Sequence, residues 1–297
     1  MATRRLVLIH GRAQENKDPQ ELKDAWVESL RKGMAKSGLE LPIAESDIAF
    51  PYYGQALFDR VEGVPQDQVA SVIMRGTSLP ADQRQFAVDW LEQVAESREI
   101  TRDEIAAVDA AQIRERGVQN WEWVQKILIA LDRKVPKASK LSIALATEDV
   151  AEYLYNRNIT DVIDEGVRAA MVDDRPTVVV SHSLGTVVGY KILKEKPAHA
   201  RWQVPLFVTL GSPLAITAIR RRLQPIKHPQ YVGAWFNAMD PRDVVALYPL
   251  DADNFRVEPA IENKTDVNNF TDNRHGIAGY LEDAEVARRI HAALAAP

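Results

Sequence analysis

Short runs dense in aliphatic and β-branched residues alternate with longer amphipathic stretches along this chain. Leu6-Val-Leu-Ile9 is apolar at every position, the pattern of a parallel strand covered on both faces. Strands are likewise predicted over 177–180, 205–210 and 231–237, with a short one around 257–261. A strand over 48–54 contains Pro51, which places it at an edge or a strand end. Between the first two strands Asp18 is a candidate N-cap, Pro19 fits the first helical position and Glu21 sits three residues after the cap. Leu22, Trp26, Leu30 and Met34 then follow at i+4 spacing as one stripe, and Gly38 ends the helix. Helices are also predicted over 184–195 and 277–295.

The middle of the chain has a different texture. From 57 to 174 it is helical, charged and rich in Ala and Glu, with predicted helices over 86–98, 103–116, 121–133 and 150–156. Turn signals fall at Pro65, Pro80 and Pro136. Strand–helix alternation on both flanks predicts one α/β unit, a mostly parallel sheet flanked by helices. Residues 1–56 and 175–297 would form this core. Residues 57–174 would be a helical insertion at one sheet edge, either a cap or padding for the fold.

Composition narrows the field. The chain has 297 residues, 46% hydrophobic and 27% charged, the balance of a soluble globular protein. Its 37 Lys and Arg against 42 Asp and Glu leave a net charge of -5, with no bulk attraction for nucleic-acid backbones. No apolar run nears the ~20 residues needed to span a bilayer. Residues 6–9 are too short for a signal segment, so a cytoplasmic protein is expected. The absence of cysteine excludes disulfides, thiolate metal sites and a Cys nucleophile.

The densest chemistry is at Val178-Val-Val-Ser-His-Ser183-Leu-Gly185. A buried strand passes through a tight turn straight into a helix, and such a corner exposes its central serine in strained backbone geometry. Small residues must flank it two positions away on either side, and Ser181 and Gly185 do so. The usual first glycine is replaced by Ser181. Ser183 is therefore a candidate nucleophile; the plainer alternative is a βα turn whose serine caps the helix.

A serine nucleophile needs a base and an orienting acid, in this architecture in the chain order Ser, Asp or Glu, His. Two carboxylates, Asp240 and Asp243, follow the strand over 231–237. Asp243 is the preferred acid because the Val-Val-Ala after it can re-enter the core. Asp240 is the alternative, with a turn before Pro241 as its other role. Of six histidines only His275 lies beyond the acid in a loop leading into a helix, which makes it the candidate base. The backbone amides of Leu184 and Arg12 are candidate oxyanion donors: Leu184 follows the nucleophile, and Arg12 follows Gly11 in the turn after the first strand. His10 is expected to support that turn.

These segments resemble the α/β-hydrolases of the lipase and esterase type. The resemblance rests on Ile9-His10-Gly11, Ser181-His-Ser183-Leu-Gly185, Thr209-Leu-Gly-Ser-Pro213, Asp243-Val-Val, and His275 followed by Tyr280-Leu281. It implies a reduced α/β-hydrolase fold, since the strands that often precede the oxyanion strand are absent, and it implies that a helical insertion can act as a lid over the serine. The expected activity is hydrolysis of an acyl or lipid ester through a Ser183–Asp243–His275 triad and an acyl-enzyme, with no cofactor and no metal. Small-molecule or lipid esters are the expected partners, with no nucleic acid and no stable membrane insertion. The rival is a non-catalytic module of the same fold that binds a partner through its helical insertion.

Weaker signals get plainer readings. The acidic pairs Asp103-Glu104, Asp173-Asp174 and Glu282-Asp283 read as solvated helix faces, and Arg220-Arg-Arg222 as a solvated helix end. Trp90, Trp121 and Trp123 read as core, with an acyl pocket as the alternative.

Overall fold

The computed structural model describes residues 4–11, 18–53, 81–108, 122–131, 134, 137–195 and 200–296. Six strands form one all-parallel sheet: β1 (Arg5–Ile9), β2 (Ile48–Ala49), β3 (Thr177–His182), β4 (Val204–Leu210), β5 (Val232–Ala238) and β6 (Glu262–Lys264). Their spatial order is β2-β1-β3-β4-β5-β6. Because every strand runs the same way, all C-terminal ends share one rim. Ile9 registers with Ser181, His182 with Leu210, and Leu210 with Ala238. The residues just past those ends therefore meet, however far apart they are in sequence.

Side-chain alternation divides the strands between two apolar layers. Leu6, Leu8, Val178, Val180, Leu206 and Val208 face α1 (Pro19–Ala35) and α10 (Ala284–Ala295), where Trp26, Leu30, Val286 and Ile290 are buried. Val7, Ile9, Val179, Phe207 and Trp235 join the opposite layer. That layer contains α2 (Ala81–Ser97), α3 (Arg102–Ala106), α4 (Glu122–Leu131), α5 (Lys137–Tyr155), α6 (Arg157–Ala170), α7 (Leu184–Lys194) and α8 (Thr217–Arg222). The described part of the helical block thus shares one continuous apolar cluster with the sheet, and α5 and α6 pack directly on α7. Among the described residues, no helix is long and apolar enough to cross a membrane.

Several elements depart from the sequence pattern. The helix predicted over 277–295 is two, α9 (Ile277–Leu281) and α10. Asp283 breaks it by accepting from Glu285 N at 2.9 Å and Val286 N at 3.1 Å, a side-chain cap that starts a new helix. The last strand lies at Glu262–Lys264 rather than around 257–261, and only Ile48–Ala49 of the 48–54 segment pairs, with Gly54 outside the described residues. α6 lies within the stretch expected to be helical, and Ile159, Ile163 and Val167 form its buried stripe. The helix predicted over 103–116 ends at Ala106, where Ala107 N returns to Asp103 O at 2.9 Å; residues 109–116, Trp121 and the predicted turns at Pro65, Pro80 and Pro136 lie outside the described residues. The cap on α1 is as expected at Asp18, which accepts from Gln20 N at 2.8 Å and Glu21 N at 3.0 Å.

One packing contact reverses an ordinary rule. In an open helix Gly→Ala stabilises by about 0.5–1 kcal/mol. Gly33 of α1 faces α9, and a Cβ there would sit 2.1 Å from Leu281 O and 2.9 Å from Ala287 Cβ. Gly33→Ala is therefore expected to destabilise the fold by about 1–3 kcal/mol. Urea unfolding checks the sign; a raised midpoint would mean the α1–α9 contact is looser than described.

Candidate active site

Ser183 sits between β3 and α7 with φ 54° and ψ -128°. Few non-glycine residues occupy this region, and holding one there costs on the order of 1–3 kcal/mol. The surroundings enforce it. Ser183 N donates to Leu210 O at 3.1 Å, and the Thr186 hydroxyl donates to Ser183 O at 2.7 Å. Gly185 is forced by contact, since a Cβ would lie 2.3 Å from Ile9 O and 2.6 Å from His10 O. At the other flank Ser181 replaces the usual glycine without an orphaned hydroxyl: its Oγ donates to Val208 O at 2.9 Å in the fully buried strand.

The loops after β5 and β6 bring two further side chains to this corner. His275 Nε2 lies 2.8 Å from Ser183 Oγ, and His275 Nδ1 lies 2.7 Å from Asp243 Oδ2. Asp243 is 1% exposed, and its remaining acceptor sites are occupied. Tyr280 OH donates to Oδ2 at 2.6 Å, and Val245 N and Ala246 N donate to Oδ1 at 2.8 and 3.4 Å. Burial pushes this carboxyl up, but the His275 imidazole, the Tyr280 hydroxyl and the Val245 amide outweigh it and hold the group below the usual carboxylate range. A buried anion with its bonds filled can orient an imidazole and stabilise its protonated form.

Asp240, the alternative acid, is buried but turned away from His275. Its oxygens accept from Arg242 N at 2.8 Å, from the Arg242 guanidinium at 3.1 and 3.0 Å, and from Asn269 N at 2.8 Å. This carboxylate anchors the histidine loop. Asn269 carries the anchor onward, donating from Nδ2 to Gly276 O at 2.8 Å and accepting at Oδ1 from the Thr271 hydroxyl at 2.6 Å. Gly211, at φ 56°, lets the backbone after β4 close against the same group: a Cβ would meet Asp243 Oδ2 and His275 Cε1, both at 3.2 Å.

Two buried histidines support the corner. Tyr53 N donates to His10 Nε2 at 3.1 Å, so the proton is on Nδ1, which donates to Gly11 O at 2.6 Å. The ring stacks on Tyr53 at 3.9 Å, and the Tyr53 hydroxyl donates to His10 O. His10 thus supports the turn, as expected. His182 Nε2 donates to His275 O at 2.7 Å, and the two rings lie 4.8 Å apart. His182 thus holds the main chain of the candidate base, a role the sequence analysis assigns to no residue. Its place directly beside the serine was the available signal. Tyr280 was noted only as part of a resemblance, and nothing local marks it as a partner of Asp243.

Of the two expected oxyanion donors, Leu184 N is at the first position of α7, where helix amides lack intrahelical acceptors. Arg12 lies outside the described residues. Gly11 precedes it and touches Ser183 closely: a Cβ would be 2.7 Å from Ser183 Cβ. No known protein family, curated protein or solved structure matches this chain.

The weaker sequence signals have structural duties. Trp90 is fully buried core, and Trp123 is half-buried with Nε1 donating to Glu92 Oε1 at 2.7 Å. The arginine run ends α8 with Arg221 and Arg222 exposed, as expected, and it also makes contacts: Arg221 pairs with Asp89 at 3.2 Å, and Arg222 lies 4.2 Å above the Tyr155 ring. Asp103 and Glu104 form the first turn of α3, where Thr101 and Glu104 make a capping box. No group of three or more His, Asp or Glu side chains among the described residues could hold a metal ion.

Burial lowers His10 to about 4 and His182 to about 3, with the neighbouring His275 adding to the second shift. Unfolded histidines take up a proton near 6.5, so acid favours the unfolded chain. Stability is then expected to fall below pH 6.5 at about 1.4 kcal/mol per pH unit for each histidine, both contributing down to about pH 4 and His182 alone below that. Urea unfolding at pH 6 and pH 5 measures the loss. It should shrink by roughly half in His182→Gln if the two histidines contribute alike, and an unchanged loss would contradict the assignment.

Proposed function

We propose that this chain is a serine hydrolase of the α/β-hydrolase type that cleaves a carboxylic ester, of an acyl or lipid group, through an acyl-enzyme. The observation that carries the reading is the continuous hydrogen-bonded relay from Ser183 Oγ through His275 to Asp243, at 2.8 and 2.7 Å. The chemistry follows from that relay. His275 Nε2 takes the Ser183 proton as Oγ attacks the ester carbonyl carbon. Asp243 stabilises the imidazolium and keeps the ring's Nδ1 proton directed at itself. The tetrahedral oxyanion is met by Leu184 N at the start of α7; Arg12 N, the second donor expected from the sequence, lies outside the described residues. Collapse expels the alcohol, protonated by His275, and leaves Ser183 acylated. Water, deprotonated by His275, attacks the acyl carbon; the bond to Ser183 Oγ then breaks as His275 returns the proton to Oγ, and the carboxylic acid leaves.

The geometry supports this reading over an N-cap serine. The Ser183 side chain makes no cap bond to α7, and its Oγ is turned to the imidazole instead. Its strained backbone has no structural purpose at a plain βα turn, where an unstrained residue would serve. Asp243 supports the acid role better than Asp240, because only its carboxylate is bonded to the His275 ring.

A fluorophosphonate probe should label the folded wild type stoichiometrically and leave Ser183→Ala unlabelled. No labelling of the folded wild type would sink the hydrolase reading and favour the partner-binding module.

The two carboxylates should separate by measurement. Asp243→Asn is expected to lower kcat by about 10⁴ on a nitrophenyl ester, as loss of the orienting acid does in such relays. Asp240→Asn should lower the unfolding midpoint while keeping most of kcat. The reverse pattern would exchange their roles.

A further inference from the structure

Helix α2 lies in the block predicted as an insertion, yet it is bonded to two loops of the sheet rim. Asp89 pairs with Arg221 of α8 at 3.2 Å. One turn later Gln93 accepts from Thr217 N at 2.7 Å and donates to Thr217 Oγ1 at 3.1 Å, satisfying the start of α8 in the connection after β4. Just past the C-terminal end of α2, Arg98 Nη2 donates to Asp243 O at 3.2 Å in the loop after β5. The other face of α2 is sunk in the core through Phe86, Trp90, Leu91, Val94 and Ala95.

The end that carries Arg98 is itself held. Ile100 N returns to Ala95 O at 3.0 Å across Glu99, which takes a left-handed φ of 55°. Lys134 Nζ donates to Glu99 O at 2.8 Å. The Arg98 guanidinium is partly buried, which disfavours its charge, and the negative charges of Asp243 and Asp240 oppose that effect. Its Nε is buried with no acceptor among the described residues. A buried donor without a partner is costly, so the pose needs a compensating attraction. The two buried carboxylates supply one.

We propose that Arg98 is a positioning residue through which the helical block holds the acid of the triad. Its hydrogen bond fixes the Asp243 main chain, and its charge favours the ionised carboxylate. Helix α2 is then a fixed wall of the site and no part of a moving lid. The proposal rests on the reading of Ser183, His275 and Asp243 as a catalytic relay.

The test uses the full chain with Arg98→Met, which keeps the alkyl stem, and Arg98→Lys, which restores a cation. On a nitrophenyl ester Arg98→Met should lower kcat by about 10- to 100-fold, the scale expected when a catalytic group is misplaced by up to an ångström. KM should stay within about twofold, and Arg98→Lys should recover part of the loss. The second readout needs no turnover: the downfield proton resonance of His275 Nδ1–H should shift or broaden in Arg98→Met and return towards its wild-type position in Arg98→Lys. A wild type without esterase activity whose resonance still moves in Arg98→Met would keep the positioning role and overturn the hydrolase reading. An active Arg98→Met with wild-type kcat and an unmoved resonance would overturn the positioning role alone, and a change confined to KM would do the same.

Discussion

A serine held at φ 54° between a buried strand and a buried helix is the constraint from which the rest of the site follows. The strain is local, and the contacts that sustain it are not. Leu210 in β4 receives the Ser183 amide, Thr186 in α7 holds its carbonyl, and β1 passes so close to Gly185 that no side chain fits between them. Relaxing the corner would break all three at once. A conformation that costs a few kcal/mol in isolation is therefore fixed by a rigid frame.

The second organising feature is the burial of Asp243. A lone carboxylate in this interior would be strongly disfavoured. Here both oxygens are taken up, by His275 and Tyr280 on one side and by main-chain amides on the other. Since Asp240 and Asn269 fix the loop that carries His275, and His182 holds its carbonyl, His275 and Asp243 reach Ser183 already aligned. The helical block contributes as well, because its cluster is continuous with the sheet and α2 is tied to the loops after β4 and β5.

Strands β1, β3, β4 and β5, α1 with its cap and stripe, and the Ser183 corner were legible along the chain, because each depends on neighbours within a few residues. Strand runs declare themselves by composition, Asp18 by its reach to two adjacent amides, and the corner by small residues at fixed offsets. His275 was legible by order and context: of the two histidines beyond the candidate acids, His275 and His291, it is the one in a loop that leads into a helix. The choice between Asp240 and Asp243 was harder. Both follow β5 in the same loop, and spacing does not say which carboxylate turns inward to the imidazole.

Other features had no local signature. His182 as the anchor of His275, Tyr280 as the second donor to Asp243, and Arg98 on the Asp243 carbonyl join residues 93, 37 and 145 positions apart. The break at Asp283 was decided where a side-chain cap competed with the helix running through it. Chain-local chemistry thus determined which residue types were available and which elements they formed. The parallel sheet decided which of them met, because it gathers every strand's C-terminal end on one rim regardless of the length of chain between them.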